Sequence, residues 1–287
     1  MRDLNYQLKK LGDTNRDGSY GTQRKRAWLL SKIANDLHEL GYRHMRATSL
    51  KQKHVEALVT HWLKRSLSVG TIKNRMAALR WWARKVNKHS VIANSNAHYG
   101  IVERRLIPTE SKAKDVTDRQ LSRISDPYTR FSLRLQREFG LRREESIKFT
   151  ACYADQGDYL LLKPSWTKGG KARQIPMLTE TQRQLVNEVA GFTGSGSLIP
   201  ADKTYIQQQR VYVRQVMNAG LNRMHGLRHQ YAQRRFRELA GFDCPLAGGP
   251  ARTVLTSAQR ELDQETRRVI SRELGHERPQ IVSVYVG

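Results

Sequence analysis

Apolar positions recur at helical spacing in three stretches of the first hundred residues. Leu29 or Leu30, Ile33, Leu37 and Leu40 form the first stripe, which ends at Gly41, a residue suited to a helix C-terminus. Val55, Leu58, Val59 and Trp62 share a face in the second, with Ser49 as its expected N-cap; Ile72, Met76, Leu79 and Val86 do so in the third. Three amphipathic helices predict a small bundle. The polar stretch from Ile107 to Lys114, broken by Pro108, reads as a linker, placed at 108–115. A second domain then opens on Thr117-Asp118-Arg119-Gln120, the pattern of a capping box. Phe131, Leu135 and Phe139 mark a buried helix face that stops at Gly140. Strands are predicted over Phe149 to Tyr153, Tyr159 to Lys163 and Arg173 to Met177, with Gly169-Gly170 turning between the last two; helices return after Thr179. The fold class is mainly α with a small β-sheet: a helical domain over 1–107, the linker, and a mixed α+β domain over 116–287.

Charge narrows the partners. The 287 residues carry 51 Lys+Arg against 26 Asp+Glu, a formal charge of +25, and residues 1–107 hold 22 of those bases with only 7 acids. Such a surface binds nucleic acid by releasing its counterions, although membrane surfaces and ribosomes would attract it as well. On the third helix Lys73, Arg80, Arg84, Lys85 and Lys88 lie opposite the apolar stripe and are the candidate DNA-binding residues; a solvated outer face is the bland alternative. No stretch has the roughly 20 apolar residues of a membrane span and no signal-peptide core follows Met1, so a soluble cytoplasmic protein acting at the bacterial nucleoid is expected. Cys152 and Cys244 have neither metal-ligand spacing nor disulfide density, and no metal or cofactor is expected.

Four separated elements of the second domain carry candidate chemistry: Gly140-Leu141-Arg142-Arg143-Glu144-Glu145, Thr167-Lys168-Gly169-Gly170-Lys171, His225-Gly226-Leu227-Arg228-His229, and Leu274-Gly275-His276, followed nine residues later by Tyr285. In this order they resemble the tyrosine recombinases, the integrases of phages and mobile elements, over most of the chain. The resemblance implies a SAM-like core-binding domain ahead of a recombinase catalytic domain. It also implies roles: Tyr285 as nucleophile forming a 3′-phosphotyrosine, Arg142 and Arg228 holding the scissile phosphate, His225 and His276 surrounding it, and Lys168 protonating the leaving 5′ oxygen. Bare chemistry agrees with these residue types. A planar guanidinium binds two phosphate oxygens at once, and a phenol needs nearby cations or a base to attack. Arg143 is the reserve for Arg142, and Lys171 the rival of Lys168. Glu145 either orients Arg142 or merely extends a helix, and His38, His54 and His61 are read as structural.

Two features depart from the family pattern. His225 and His276 stand 51 positions apart, a surplus that suggests an inserted surface segment near 242–261 supplying a protein or DNA contact. Only two residues follow Tyr285, where many members continue into a tail that docks on a neighbouring protomer. The resemblance implies a site-specific recombinase that integrates or excises a mobile element. It would act on double-stranded recombination sites as a homotetramer, with accessory DNA-bending proteins as further partners and without ATP or metal. A type IB topoisomerase, or a non-catalytic DNA-binding regulator on the same fold, are the alternatives.

Overall fold

A computed structural model describes residues 2–104, 107–276 and 278–287. The chain forms two compact units, Met1–Arg105 and Leu106–Gly287. Among the described residues no helix is long and apolar enough to cross a membrane. Both cysteines are free, Cys152 exposed and Cys244 buried.

The first unit contains α1 (Asp3–Thr14), α2 (Tyr20–Glu39), α3 (Gln52–Lys64) and α4 (Val69–Lys85). Ser19 and Ser68 cap α2 and α4 by accepting from the backbone N–H three residues on. The predicted stripes form the core, with Ile33, Leu37, Leu58, Trp62, Met76 and Leu79 all buried. Helix α1 was not expected, because Leu4 and Leu8 are its only fully buried side chains and too sparse a signal to stand out. Ser49 is not the cap of α3: it sits in a 3₁₀ turn, and the helix begins after Lys51, whose N–H donates to His54 Nδ1 at 3.1 Å. That bond, with the edge-on contact of His54 to Tyr42, gives the buried imidazole a structural part. Asp36, also buried, accepts from Trp62 Nε1 at 2.7 Å and Arg75 Nη1 at 2.5 Å, tying three helices together.

The second unit runs through α5 (Asp118–Leu121), α6 (Pro127–Phe139), α7 (Arg143–Ile147), α8 (Ala151–Ala154), β1 (Tyr159–Leu162), β2 (Arg173–Pro176), α9 (Glu180–Thr193), α10 (Tyr205–Asn218), α11 (Gly226–Ala240), α12 (Ser257–Glu273) and α13 (Ser283–Val286). Thr117 and Gln120 form the expected capping box. Strands β1 and β2 pair antiparallel, Tyr159 opposite Pro176 and Leu162 opposite Arg173, and Gly169 and Gly170 between them both take positive φ. Phe149 to Tyr153 is not a strand. Ala151 and Ala154, three apart on one face of α8, are buried while Cys152 is exposed, a helical rather than alternating pattern. The Phe149 carbonyl accepts instead from Leu198 N–H at 3.0 Å. Buried packing thus overrode the local β preference of Phe149, Thr150 and Tyr153.

Residues 111–115, inside the predicted linker, are fastened to this unit. Lys114 N–H donates to the Gly226 carbonyl at 3.1 Å, and Ser111 pairs with Gln233. The surplus segment is also anchored: Cys244 is fully buried, Pro245 and Leu246 pack against Gly287, and residues 257–261 are the first turn of α12. Residues 244–246 therefore seat the end of α13, while 250–254 and 256–261 are exposed.

Gly140 ends α6 at φ +60°, and a Cβ there would fall 2.6 Å from the Tyr231 ring. Strain and overlap together should make Gly140→Ala cost about 2 to 4 kcal/mol, read as a drop in the urea midpoint. An unchanged midpoint would show that the turn is looser than this packing implies.

Candidate active site

The four motifs meet in one cleft of about 1290 Å³ in the second unit, whose walls include Arg142, Lys168, His225, His276 and Tyr285. Each arrives on a different element. Arg142 is the N-cap residue of α7, His225 that of α11, and Arg228 sits one turn into α11. His276 follows α12 through Gly275, and α13 carries Tyr285 inward. Lys168 stands exposed at the turn between the strands; Lys171 lines the same cleft. Arg143 is exposed at the start of α7, while its neighbour Arg142 faces the cleft.

Tyr285 is 5% exposed, and its hydroxyl lies 3.3 Å from His276 Nε2. Its ring rests 4.6 Å from that of His229, and its carbonyl accepts from Gln233 Nε2 at 2.9 Å. The nucleophile candidate is thus held in the cleft by its own chain. Arg267 adds to this hold, donating to the Gly287 carbonyl at 2.6 Å and bound through Nε to Asp263.

Beneath lies a knot of three arginines and one carboxylate. Arg142 donates to Glu145 Oε1 through Nη1 and to Oε2 through its backbone N–H, both at 2.7 Å. Arg173 donates to the same two oxygens, at 3.1 and 2.7 Å. The Leu274 carbonyl accepts from Arg142 at 3.3 Å, from Arg173 at 3.1 Å and from Arg228 as well. Arg228 also donates to the Gly140 carbonyl at 2.5 Å. Two of its five N–H donors are used in this way, and its Nε is buried without a hydrogen-bond partner. Burial lowers the Arg228 pKa to about 10, helped by Arg173 and Arg142, so it stays charged at neutral pH. Burial alone would raise the Glu145 pKa, but Arg173, Arg228 and Arg142 outweigh it and hold it at about 2.

Three imidazoles line this cationic site. Burial, then the neighbouring arginines, lowers His276 to about 4; burial, His225 and Lys112 bring His229 to about 4. His225 is lowered too, by burial and then by Arg228 and Arg142. All three are neutral at pH 7, which suits His276 Nε2 to accept a phenolic proton.

This electrostatics sets an acid-stability profile. Each histidine pKa is depressed below the ordinary 6.5, so the unfolded chain binds more protons below that value. Unfolding free energy should be fully retained above pH 6.5 and fall from there toward pH 4. Glu145 then extends the loss from 4.5 down to about 2, worth on the order of 3 kcal/mol for its shift. Urea melts across pH 7.5 to 3 check this; a flat profile from 7 to 4 would contradict the neutral buried imidazoles.

The candidate DNA-binding residues of the first unit fall into two groups. Arg84 and Lys88 are exposed, although Lys88 lies beyond the end of α4, which stops at Lys85 with Val86 as its cap. Arg80 donates to the Ala93 carbonyl at 3.0 Å and Asn96 Oδ1 at 2.8 Å, and Lys85 pairs with Asp17 at 2.9 Å. Lys73 is half-buried. Helix α4 is more enclosed than its apolar stripe suggested, because Trp81 and Trp82 are both buried, each tied by its indole N–H, to Asp17 and to the Ala47 carbonyl. Metal-ligating groups among the described residues converge at Asp36, Glu39 and His61, where Asp36 is already committed to Trp62 and Arg75.

Sequence reasoning did not single out Arg173, His229, Gln233 or the Leu274 carbonyl as parts of the site. Arg173 read as the first residue of a strand. Its pairing across 28 positions with Glu145 has no local signature.

Comparison with known proteins agrees with this architecture. Residues 1–91 match the profile described as phage integrase, N-terminal, and residues 106–234 match the profile described as integrase. No curated protein matches. Among solved structures, a λ integrase dimer bound to a COC′ core site is 14% identical, with a TM-score of 0.65 over 99% of this chain and 77% of that one. The Tn1549 transposon integrase in complex with circular intermediate DNA is 16% identical, with a TM-score of 0.59 over 100% of this chain and 96% of that one. XerH recombinase bound to its difH substrate is 15% identical, with a TM-score of 0.58 over 99% of this chain and 81% of that one. With both integrase profiles matched in order across most of its length, and the fold shared throughout, the chain belongs to the tyrosine recombinase family.

Proposed function

We propose that the protein is a site-specific DNA recombinase that cuts and rejoins strands through a 3′-phosphotyrosine at Tyr285, integrating or excising a mobile element. The observation that carries this reading is the Tyr285 hydroxyl at 3.3 Å from the neutral His276 Nε2, in the cleft lined by Arg142, with Arg228 buried beneath. A phosphodiester in the cleft would take hydrogen bonds on its non-bridging oxygens from the two guanidiniums and from His225. Tyr285 attacks phosphorus while His276 takes the phenolic proton; the new O–P bond forms as the bond to the 5′ oxygen breaks. Lys168 gives that oxygen a proton. The 5′ hydroxyl of a partner strand then reverses the sequence, so bond energy is conserved and no ATP is required.

Double-stranded recombination sites are the proposed substrate, with Lys73, Arg80, Arg84, Lys85 and Lys88 of the core-binding domain 1–107 as backbone-contacting candidates and 116–287 as the catalytic domain. A homotetramer on two synapsed sites is the proposed assembly, aided by DNA-bending proteins. One relative of this fold, λ integrase, is known as a tetramer bound to a Holliday junction. The test is a plasmid carrying two copies of the junction sequence of the encoding element. Excision of the intervening segment is expected. Relaxation of supercoils independent of paired sites would instead point to a topoisomerase, and specific binding without any strand cleavage to a regulator.

A further inference from the structure

We propose that Arg173 is a positioning residue of the strand-cleavage reaction, which keeps Arg142 available to the scissile phosphate by occupying the carboxylate that would otherwise capture it. The proposal rests on the recombinase reading above. Arginine and carboxylate prefer a fork-to-fork pair, with two parallel N–H bonds to two oxygens. Arg142 and Glu145 are only three residues apart, yet the Arg142 side chain reaches just one oxygen, Oε1, through Nη1. Arg173 is the reason. Its Nη2 fills Oε2 at 2.7 Å and its Nη1 shares Oε1 at 3.1 Å, while the Arg142 backbone N–H takes the remaining place on Oε2. A carboxylate has about four lone-pair sites, and all of them are then in use. Nothing remains for a second side-chain bond from Arg142, so its Nη2 is left with only the long 3.3 Å contact to Leu274.

The same guanidinium ties the other parts of the cleft together. Arg173 lies on β2 five residues after Lys168. It donates to Leu274 at 3.1 Å, two residues before His276. Gly275, at φ +64°, lies so close that a Cβ there would sit 2.8 Å from Arg173 Cδ. The side chain is buried in the cleft wall, and its Nη1 and Nη2 are both engaged, by Glu145 and the Leu274 carbonyl.

Single-turnover cleavage of nicked site DNA at saturating protein tests this. Arg173→Ala should slow cleavage roughly 10²-fold, the cost of a misplaced catalytic group, with DNA affinity nearly unchanged. Arg173→Lys, which cannot span both oxygens, should recover only part of that, and added guanidinium should partly rescue the alanine variant. In a Glu145→Gln background, where no carboxylate remains to capture Arg142, Arg173→Ala should cost only a few-fold. Should Arg173→Ala fail to fold, Arg173→Met keeps the packed stem and is read the same way. A folded Arg173 variant that cleaves at the parent rate, or an equal loss in both backgrounds, overturns the proposal and leaves the recombinase reading standing. No cleavage by the unsubstituted protein would overturn both.

Discussion

Tyr285→Phe is expected to abolish covalent attachment to DNA, lowering cleavage by at least about 10⁴-fold, as removal of a nucleophile does. The fold should hardly notice. The ring is buried against His229 at 4.6 Å and keeps that packing as phenylalanine, and Gln233 holds the residue through its carbonyl, which the substitution leaves in place. Only the 3.3 Å contact with His276 Nε2 is lost, a neutral hydrogen bond worth about 1 kcal/mol. Affinity for site DNA should persist, since phosphate contacts supply most of the binding energy and none of them needs the phenol oxygen. The measurement pairs a denaturing gel of protein on nicked DNA with a melting curve. Residual adduct in the phenylalanine variant would show that another residue attacks.

Arg228→Met is the second large effect, and it separates catalysis from stability. The guanidinium is fully buried beside Arg173 and Arg142, and its pKa is driven down to about 10 by burial and by those neighbours. A group in that condition does not stabilise the fold by its charge. Its removal relieves repulsion among three cations, and the methionine stem fills most of the space. Against this stands the Gly140 carbonyl, which loses its 2.5 Å donor, while Leu274 keeps Arg173 and Arg142. An unsatisfied buried carbonyl costs about 1 to 3 kcal/mol, so the two effects nearly offset and stability should move by less than about 2 kcal/mol. Cleavage should fall about 10³-fold, because a pre-aimed cation in an enclosed site is lost from the developing phosphorane charge. A large stability loss with cleavage intact would reverse the roles assigned here.

How far the sequence foretold this molecule differs by level. The helical stripes of α2, α3 and α4 and the face of α6 were legible because the burial that drives them repeats every three or four residues. The hairpin was legible because Gly169 and Gly170 supply the positive φ that its turn needs. Helix α8 was not, since Phe149 and Tyr153 carry a local β preference that packing overrides. The six proposed catalytic residues could be read only as separate motifs whose order and spacing resemble a family. Their convergence is a tertiary fact. Arg173 shows the limit most plainly: nothing near it in sequence announces that it shares Glu145 with Arg142 or fills the space beside Gly275. The enclosed state of Arg80 and Lys85 was equally hidden, because a helical arc reveals spacing but not which acids and carbonyls a distant segment brings up.

The central claim is that Tyr285 becomes bonded to DNA. Protein trapped on nicked site DNA can be digested with protease and nuclease, and the nucleotide-bearing peptide identified by mass spectrometry. The account predicts one modified peptide, the one that contains Tyr285, with a nucleotide joined through its 3′ phosphate to the Tyr285 oxygen. A nucleotide on any other residue, or a link through a 5′ phosphate, would contradict it.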